Sequence, residues 1–474
     1  MRCLLLFCLM AMAQVCFAQY VEQVYPKTLW VQSDTFYLRY DDDPRLDTFT
    51  VSTKRMSSPG TDAMLNSSMT ILFGKDSVRT RYHNNLPYAH VVFFNVASPK
   101  GKNVFRIHFN DVASFFTKEY MKENYGKSRF DIPEAYELAN IIWTISPAGQ
   151  KDTTLYKAGP YYERVMDHFK PYMDHPIFKQ LNFPDSIYYE KYYDFRENSF
   201  AFNFKPGSTK LLFNGPYYYV FGNNFSDSSL FGLLRPLVED FAAKSRFREF
   251  YKSNLSFYQK EISREQQLMP LKQMWDWLEK EFVNPKYQSY RVVFSPLIGG
   301  SHSTQNYATY NEAMGRAFRE NVMFVCGPER YDTVAGFTDK QREGMMSGIV
   351  FTEIDHNYVN PATGKYRKTV DSIFSKRDVW VRAGISSNYY RGAESVFNEY
   401  MTHAVFCLWV LNNYDKATAD LVIDRREVMN VDRRNFIKFR EFNRELMRLR
   451  QEHSNLKVVE LYPYILEWCK KQIQ

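Results

Sequence analysis

Residues 321–361 read NVMFVCGPERYDTVAGFTDKQREGMMSGIVFTEIDHNYVNP, and the parsing of this stretch decides the fold. Asn321 to Cys326 form a short apolar run ended by Gly327-Pro328, the pattern of a buried strand followed by a turn. Thr338-Asp339-Lys340-Gln341 then has capping-box spacing, in which the threonine and glutamine side chains satisfy each other's free backbone N–H groups. The helix it opens is predicted to run to about His356 and to stop before Asn360-Pro361.

On that helix Thr352-Glu353-Ile354-Asp355-His356 sets residues 352 and 356 one turn apart. Histidine at both positions would present two nitrogens to one zinc ion, with Glu353 beside them as general base toward a metal-bound water. Here the first position is Thr352, whose hydroxyl is a poor neutral ligand, so tight zinc binding is expected to be weakened or lost. Asp355 is rotated by about 100° from His356 and reads as an outward or supporting carboxylate. With nine histidines in the chain, Glu-x-x-His says little without its surroundings.

Those surroundings are helical with a few strands. Arg291 to Ile298, ending in Gly299-Gly300, is a second apolar β-like run. Ile132-Pro133-Glu134 opens a helical register carried on by Glu137, Leu138, Ile141 and Ile142. Further helical stretches are predicted over 161–172, 234–261, 271–282 and about 392–411, with two more near the C-terminus. Before about residue 113 the pattern changes to short runs rich in β-formers, such as TFYLRY, MTILFG, HVVFFNV and NVFRIHF. Turn residues Asp41-Asp42-Asp43-Pro44 and Ser58-Pro59-Gly60 punctuate them, as in a small sandwich-like or mixed β domain. A linker is expected near 121–130. The fold class is therefore α+β: a β-rich domain over 19–125 and a mainly helical domain with a small sheet over 126–474.

Composition bounds the function. At 474 residues, with 45% hydrophobic and 24% charged residues, the chain has ample material for a core and no signature of global disorder. The formal charge of +8 is small for this length. Arg425, Arg426, Arg433, Arg434, Lys438 and Arg440 are interleaved with acids, which reads as a solvated helix face and argues against a nucleic-acid partner. The 35 Tyr, 39 Phe and 7 Trp are an excess of rings that either fill the core or build an aromatic surface, the latter pointing to a carbohydrate-binding surface protein.

Met1-Arg2, the apolar run Cys3 to Ala13 and small residues at Cys16 and Ala18 have the form of a signal peptide cut after Ala18. A lipid anchor on Cys16 is the alternative, against which Val15 stands where a small residue is usual. No later segment is apolar enough to cross a membrane, so the mature chain is expected in the periplasm or outside the cell. Cys326, Cys407 and Cys469 survive such a cut; Cys326 and Cys407 lie in apolar runs that suit buried free thiols, and one bridge stays possible.

The segments TEIDHNYVNP (352–361), IPEAYELANII (132–142), YYERVMDHFKPYMDHPI (161–177), VVFSPLIGG (292–300) and NEYMTHAV (398–405) together resemble the secreted bacterial domain-of-unknown-function family 4932. Its members look like gluzincin-type metallopeptidases with a His-Glu-x-x-His helix. The resemblance covers about 131–414 and leaves the β-rich region unmatched. It implies His356 as a metal ligand, Glu353 as catalytic base and Glu399 as third ligand on a following helix, with Thr352 in place of the first histidine. His403, one turn beyond Glu399, either reaches into that vacancy to rebuild a His356/Glu399/His403 zinc site or is a hydrogen-bonded core histidine. Tyr389, Tyr390 and His302 are weaker candidates, the tyrosines as donors to an oxyanion. The expected function is that of an exported metallopeptidase-like protein, either degenerate and binding a peptide or protein by strand addition to a sheet edge, or still active on zinc.

Overall fold

The computed structural model of the chain describes residues 21–24, 27–40, 46–51, 60–61, 68–73, 76–81, 90–109, 114, 116–218, 220–222, 226–283, 285–311, 316–384 and 390–474. The proposed leader, Asp41 to Pro44, Ser58, Pro59 and Tyr389 lie outside them. The fold is α+β, strand-rich toward the N-terminus and mainly helical beyond it. It divides into two compact units, one taking Met1–Met121, Gly215–Phe225 and Tyr307–Phe318, the other the remainder.

The first unit carries β1 (Val21–Val24), β2 (Leu29–Trp30), β3 (Thr35–Tyr40), β4 (Leu46–Thr50), β5 (Gly60–Thr61), β6 (Ser68–Phe73), β7 (Asp76–Arg81), β8 (His90–Ser98) and β9 (Gly101–Phe109). They form one sheet ordered β1-β8-β9-β5, with β2 also on β8, and a second ordered β4-β3-β6-β7. Alternate residues point to one face of a strand. Phe36 and Leu38 of β3, Ile71 of β6, Phe94 and Val96 of β8 and Phe105 of β9 accordingly share one buried cluster. A core drawn from both sheets makes this unit a sandwich. Phe36 meets Phe105 edge to face with centroids 4.7 Å apart, while Trp30 and Tyr37 stay exposed.

The second unit begins in the stretch expected to be a linker. A helix spans Lys118–Asn124 and β10 spans Lys127–Asp131. The local signal for β10 is weak because its pairing is tertiary: it lies parallel to β13 (Ser289–Ser295), and Arg129 ion-pairs with Glu320. After the ribbon of β11 (Phe202–Phe204) and β12 (Leu211–Phe213), the main sheet is completed by β14 (Ser303–Asn311) and β15 (Arg316–Cys326), of which Tyr307–Phe318 is counted with the first unit, in the order β10-β13-β15-β14. β13 and β15 pair in parallel. Val292 to Phe294 and Val322 to Cys326 are fully buried, as strands covered on both faces must be.

Helices α1 (Glu134–Ile145), α2 (Asp185–Asn198), α3 (Asp339–Gly364), α4 (Ala393–Asn413), α5 (Lys416–Val428) and α6 (Tyr462–Lys471) frame the site. Thr338 and Gln341 cap α3 reciprocally, through Gln341 N to Thr338 Oγ1 at 3.2 Å and Thr338 N to Gln341 Oε1 at 2.9 Å. The helix does not stop before Pro361 but runs through it to Gly364. Proline removes one backbone donor and crowds the preceding turn. Here burial of Val359, Ala362 and Thr363, with the Tyr462 hydroxyl of α6 donating to the Val359 carbonyl at 3.3 Å, holds the last turn regardless.

The stretch 234–261 is also not one helix. It breaks at Arg246, whose φ of 54° is left-handed, into Arg235–Lys244 and Phe247–Ser253, and again before Leu255–Leu268. The bend lets Phe241, Phe247 and Phe250 all reach the interior. Among the described residues no helix is long and apolar enough to cross a membrane. Cys326, Cys407 and Cys469 are free and buried, and burial pushes the Cys326 and Cys407 thiols up to about 12.

Candidate functional site

Helices α3 and α4 pack along each other, and each presents one turn of polar side chains at their contact. His356 on α3 and Glu399 and His403 on α4 meet there. His356 Nε2 is 3.4 Å from Glu399 Oε1, and His403 Nε2 is 3.5 Å from Glu399 Oε2. The two histidines thus address opposite oxygens of one carboxylate. His356 is partly exposed whereas His403 is buried. Thr402 Oγ1 and Asn360 Oδ1 each stand 3.4 Å from His356 Nδ1.

A second pair of elements supplies charges that the interleaved pattern of bases and acids assigns to solvent. Arg425 and Arg433 are indeed exposed, but Arg426 and Arg434 turn inward. Arg434 follows α5 and a π-helical turn, Met429–Arg433, and precedes Asn435, whose φ of 64° is left-handed. This reversal directs the Arg434 guanidinium onto Glu399, where Nη1 ion-pairs with Oε2 and also donates to the Tyr390 hydroxyl at 3.0 Å. Arg426 passes over Gly348 of α3, where a Cβ would sit 1.7 Å from its Nη2, and reaches His403 Nδ1 at 3.4 Å.

Tautomers follow from this geometry. A guanidinium only donates, so His403 Nδ1 accepts from Arg426 and the ring proton sits on Nε2, facing Glu399. At 3.5 Å that contact is at the outer limit of a hydrogen bond. Burial, opposed by Glu399 and reinforced by Arg434 and Arg426, pushes the His403 imidazole down to about 3, so it is neutral at ordinary pH. Burial would raise the Glu399 carboxyl, but the His403 donor and the Arg434 and His356 charges outweigh it and hold it at about 2. Burial raises Glu353, with Glu399 adding and His356 and Arg434 opposing. The candidate base and the candidate ligand therefore differ in acidity, Glu399 being the firmly ionised one.

The remaining candidates fall out differently. Thr352 donates back into its own helix, to Gly348 O at 2.9 Å and Ile349 O at 3.0 Å, so its hydroxyl has no lone task at the site. Asp355 is not outward: it is fully buried, and burial above all raises its carboxyl well beyond the usual range. His302 is pushed down to about 3 by burial and by Arg330, Arg196 and Arg434.

A zinc ion with bonds of about 2.0–2.1 Å separates tetrahedral ligand atoms by about 3.3 Å, and the His356–Glu399 pair matches that span. The rest of the donor set does not fit such an ion. Thr352 is turned into its helix, the lone pair of His403 faces Arg426 rather than Glu399, and a guanidinium already pairs with Glu399. Among the described residues no three His, Cys, Asp or Glu side chains are arranged to hold a metal.

The sheet edge lies against the same helix. Asn306 of β14 donates to Asn357 Oδ1 of α3 at 2.6 Å, beside His356, and its own oxygen accepts from Tyr287 at 3.0 Å and Asn321 at 2.8 Å. Glu197 on α2, paired at 2.8 Å with a fully buried Arg196, accepts from Ser303 and, at 3.0 Å, from Gln305. Edge strand, site helix and a buried ion pair thus form one connected polar framework. A shallow groove of about 660 Å³ at the C-terminal end of α4, lined by Leu408, Leu411, Arg444 and Met447, shares none of these residues.

Sequence reasoning placed His356, Glu399 and His403 on neighbouring elements but did not find Arg434 or Arg426. The glycine at 348, one turn before Thr352, was the available signal that something bulky crosses α3 there. Compared with models of known families, with curated proteins and with solved structures, the chain matches none.

Proposed function

We propose that the chain is an exported, metallopeptidase-like protein with a degenerate hydrolytic centre, which binds an extended peptide or protein segment along β14. The observation that carries this reading is the Asn306–Asn357 hydrogen bond, which ties the outermost strand of the sheet order to the helix bearing Glu353 and His356. An extended peptide adds to such an edge through main-chain hydrogen bonds, and that capacity is independent of any hydrolytic step. The Arg434–Glu399 ion pair and the back-bonded Thr352 support the loss of chemistry, since both remove a partner that a metal would need.

The test is fluorescence polarisation of a labelled library of extended peptides against the mature protein, with mass spectrometry of the same mixtures. Binding that survives chelator, with every peptide recovered intact, is the expected result. Chelator-sensitive cleavage would establish an active peptidase built on His356, Glu399 and His403. Absence of any peptide binding would remove the reading altogether.

A further inference from the structure

We propose that Arg434 is a built-in cation standing in for a metal: its guanidinium neutralises Glu399, so that restoring a zinc site takes two changes, at Thr352 and at Arg434, rather than one. The inference rests on the metallopeptidase-like reading of the site and assigns a positioning role to a residue outside the segments that carry that reading.

Three observations converge on it. Arg434 meets Glu399 by direct contact, with 31% of its side chain exposed and 12% of that of Glu399. The guanidinium is held by the Tyr390 hydroxyl at 3.0 Å, and the backbone after it is fixed by the left-handed Asn435, whose carbonyl accepts from Arg382 N at 2.9 Å. Arg426 adds a second guanidinium to the same turn of α4 and commits the His403 lone pair. A dication brought between His356 and Glu399 would face two fixed positive charges at short range, in surroundings where such charges are poorly screened. Replacing Thr352 by histidine adds a nitrogen but leaves both charges in place.

The experiment is zinc content after equilibrium dialysis, together with the d–d absorption of cobalt(II) added as a probe. Both are measured on the mature protein and on Thr352→His, Arg434→Gln and Thr352→His/Arg434→Gln. Stoichiometric metal is expected in the double variant alone, with tetrahedral cobalt bands. Stoichiometric zinc in the parent or in Thr352→His would overturn the proposal, as would a folded double variant that takes up none. Should the double variant not fold, the urea midpoints of Glu399→Gln, Arg434→Gln and their combination decide. Additive shifts would overturn the proposal, and a combined shift smaller than the sum would sustain it. Peptide binding followed on the same proteins separates the two readings, because its absence strikes the proposed function and leaves the metal result standing.

Discussion

The Asn306 amide donates to Asn357 Oδ1 across 2.6 Å, joining an edge strand to the neighbouring helix at the residue next to His356. Removing it does more than delete one bond, because Tyr287 and Asn321 donate to the same side chain. Asn306→Ala removes the partner of the Tyr287 hydroxyl and of Asn357 Oδ1 at once, while Asn321 keeps Thr304 and the Gln305 carbonyl. A loss of about 2–4 kcal/mol is expected in urea unfolding, with weaker peptide binding. Unchanged stability would mean that water replaces the network without cost.

Gly348 lets Arg426 cross α3, and a methyl group there meets both the guanidinium and the Phe406 ring, the latter at 2.9 Å. Gly348→Ala, which would raise helix propensity by about 1 kcal/mol at an open site, is therefore expected to destabilise by about 1–3 kcal/mol. Arg426 would be displaced from His403. The His403 ring shifts in NMR spectra report that displacement, and a stabilised variant with unmoved resonances would refute it.

Arg196 and Glu197 are both fully buried and paired at 2.8 Å, with Arg196 also donating at 3.0 Å to the Tyr192 hydroxyl and to the Ser301 carbonyl. Arg196→Met leaves Glu197 uncompensated beneath β14. The cost is expected to be about 3–5 kcal/mol at neutral pH, falling at acidic pH as Glu197 takes up a proton. Equal losses at both pH values would show that the guanidinium acts by packing alone.

Burial raises Glu137 and Glu261 to about 7, and raises Glu265, whose two oxygens lack a hydrogen-bond partner, well above the usual carboxylate range. A carboxyl whose folded value lies above its unfolded one binds its proton more tightly when folded. Stability is then lost as pH rises from about 4.5 through 7. His403 works in the other sense: its folded value of about 3 lies below the unfolded one, so its contribution is lost as pH falls from about 6.5 toward 3. The melting temperature is expected to peak on the acidic side of neutrality. Glu265→Met should flatten the alkaline limb, and a limb left unchanged would assign it to other groups.

Much of this was legible in the chain. The capping box at Thr338 and Gln341 fixes the start of α3, and the strand runs at 291–298 and 321–326 were recognisable because strands buried on both faces must be apolar throughout. The end of α3 was not legible. Pro361 is a local stop signal, and burial of Val359, Ala362 and Thr363 with the contact of Tyr462, about a hundred residues later, overrides it. Likewise β10 has little intrinsic strand character and exists because β13 pairs with it. Arg434 lay beyond sequence reasoning for a related reason. Its neighbours Arg425 and Arg433 do face solvent, and only a π-turn and one left-handed asparagine, neither of which follows a period, rotate it 35 positions back toward Glu399.

The three described cysteines bear on how the chain would fare outside the cytoplasm. Each thiol is walled in, and burial keeps at least two of them protonated far above any physiological pH. Oxidants, disulfide exchangers and soft metals act on thiolates they can reach. The sulfurs of these three residues are part of the hydrocarbon interior, so a change from a reducing to an oxidising milieu would leave them without a crosslink or a partner.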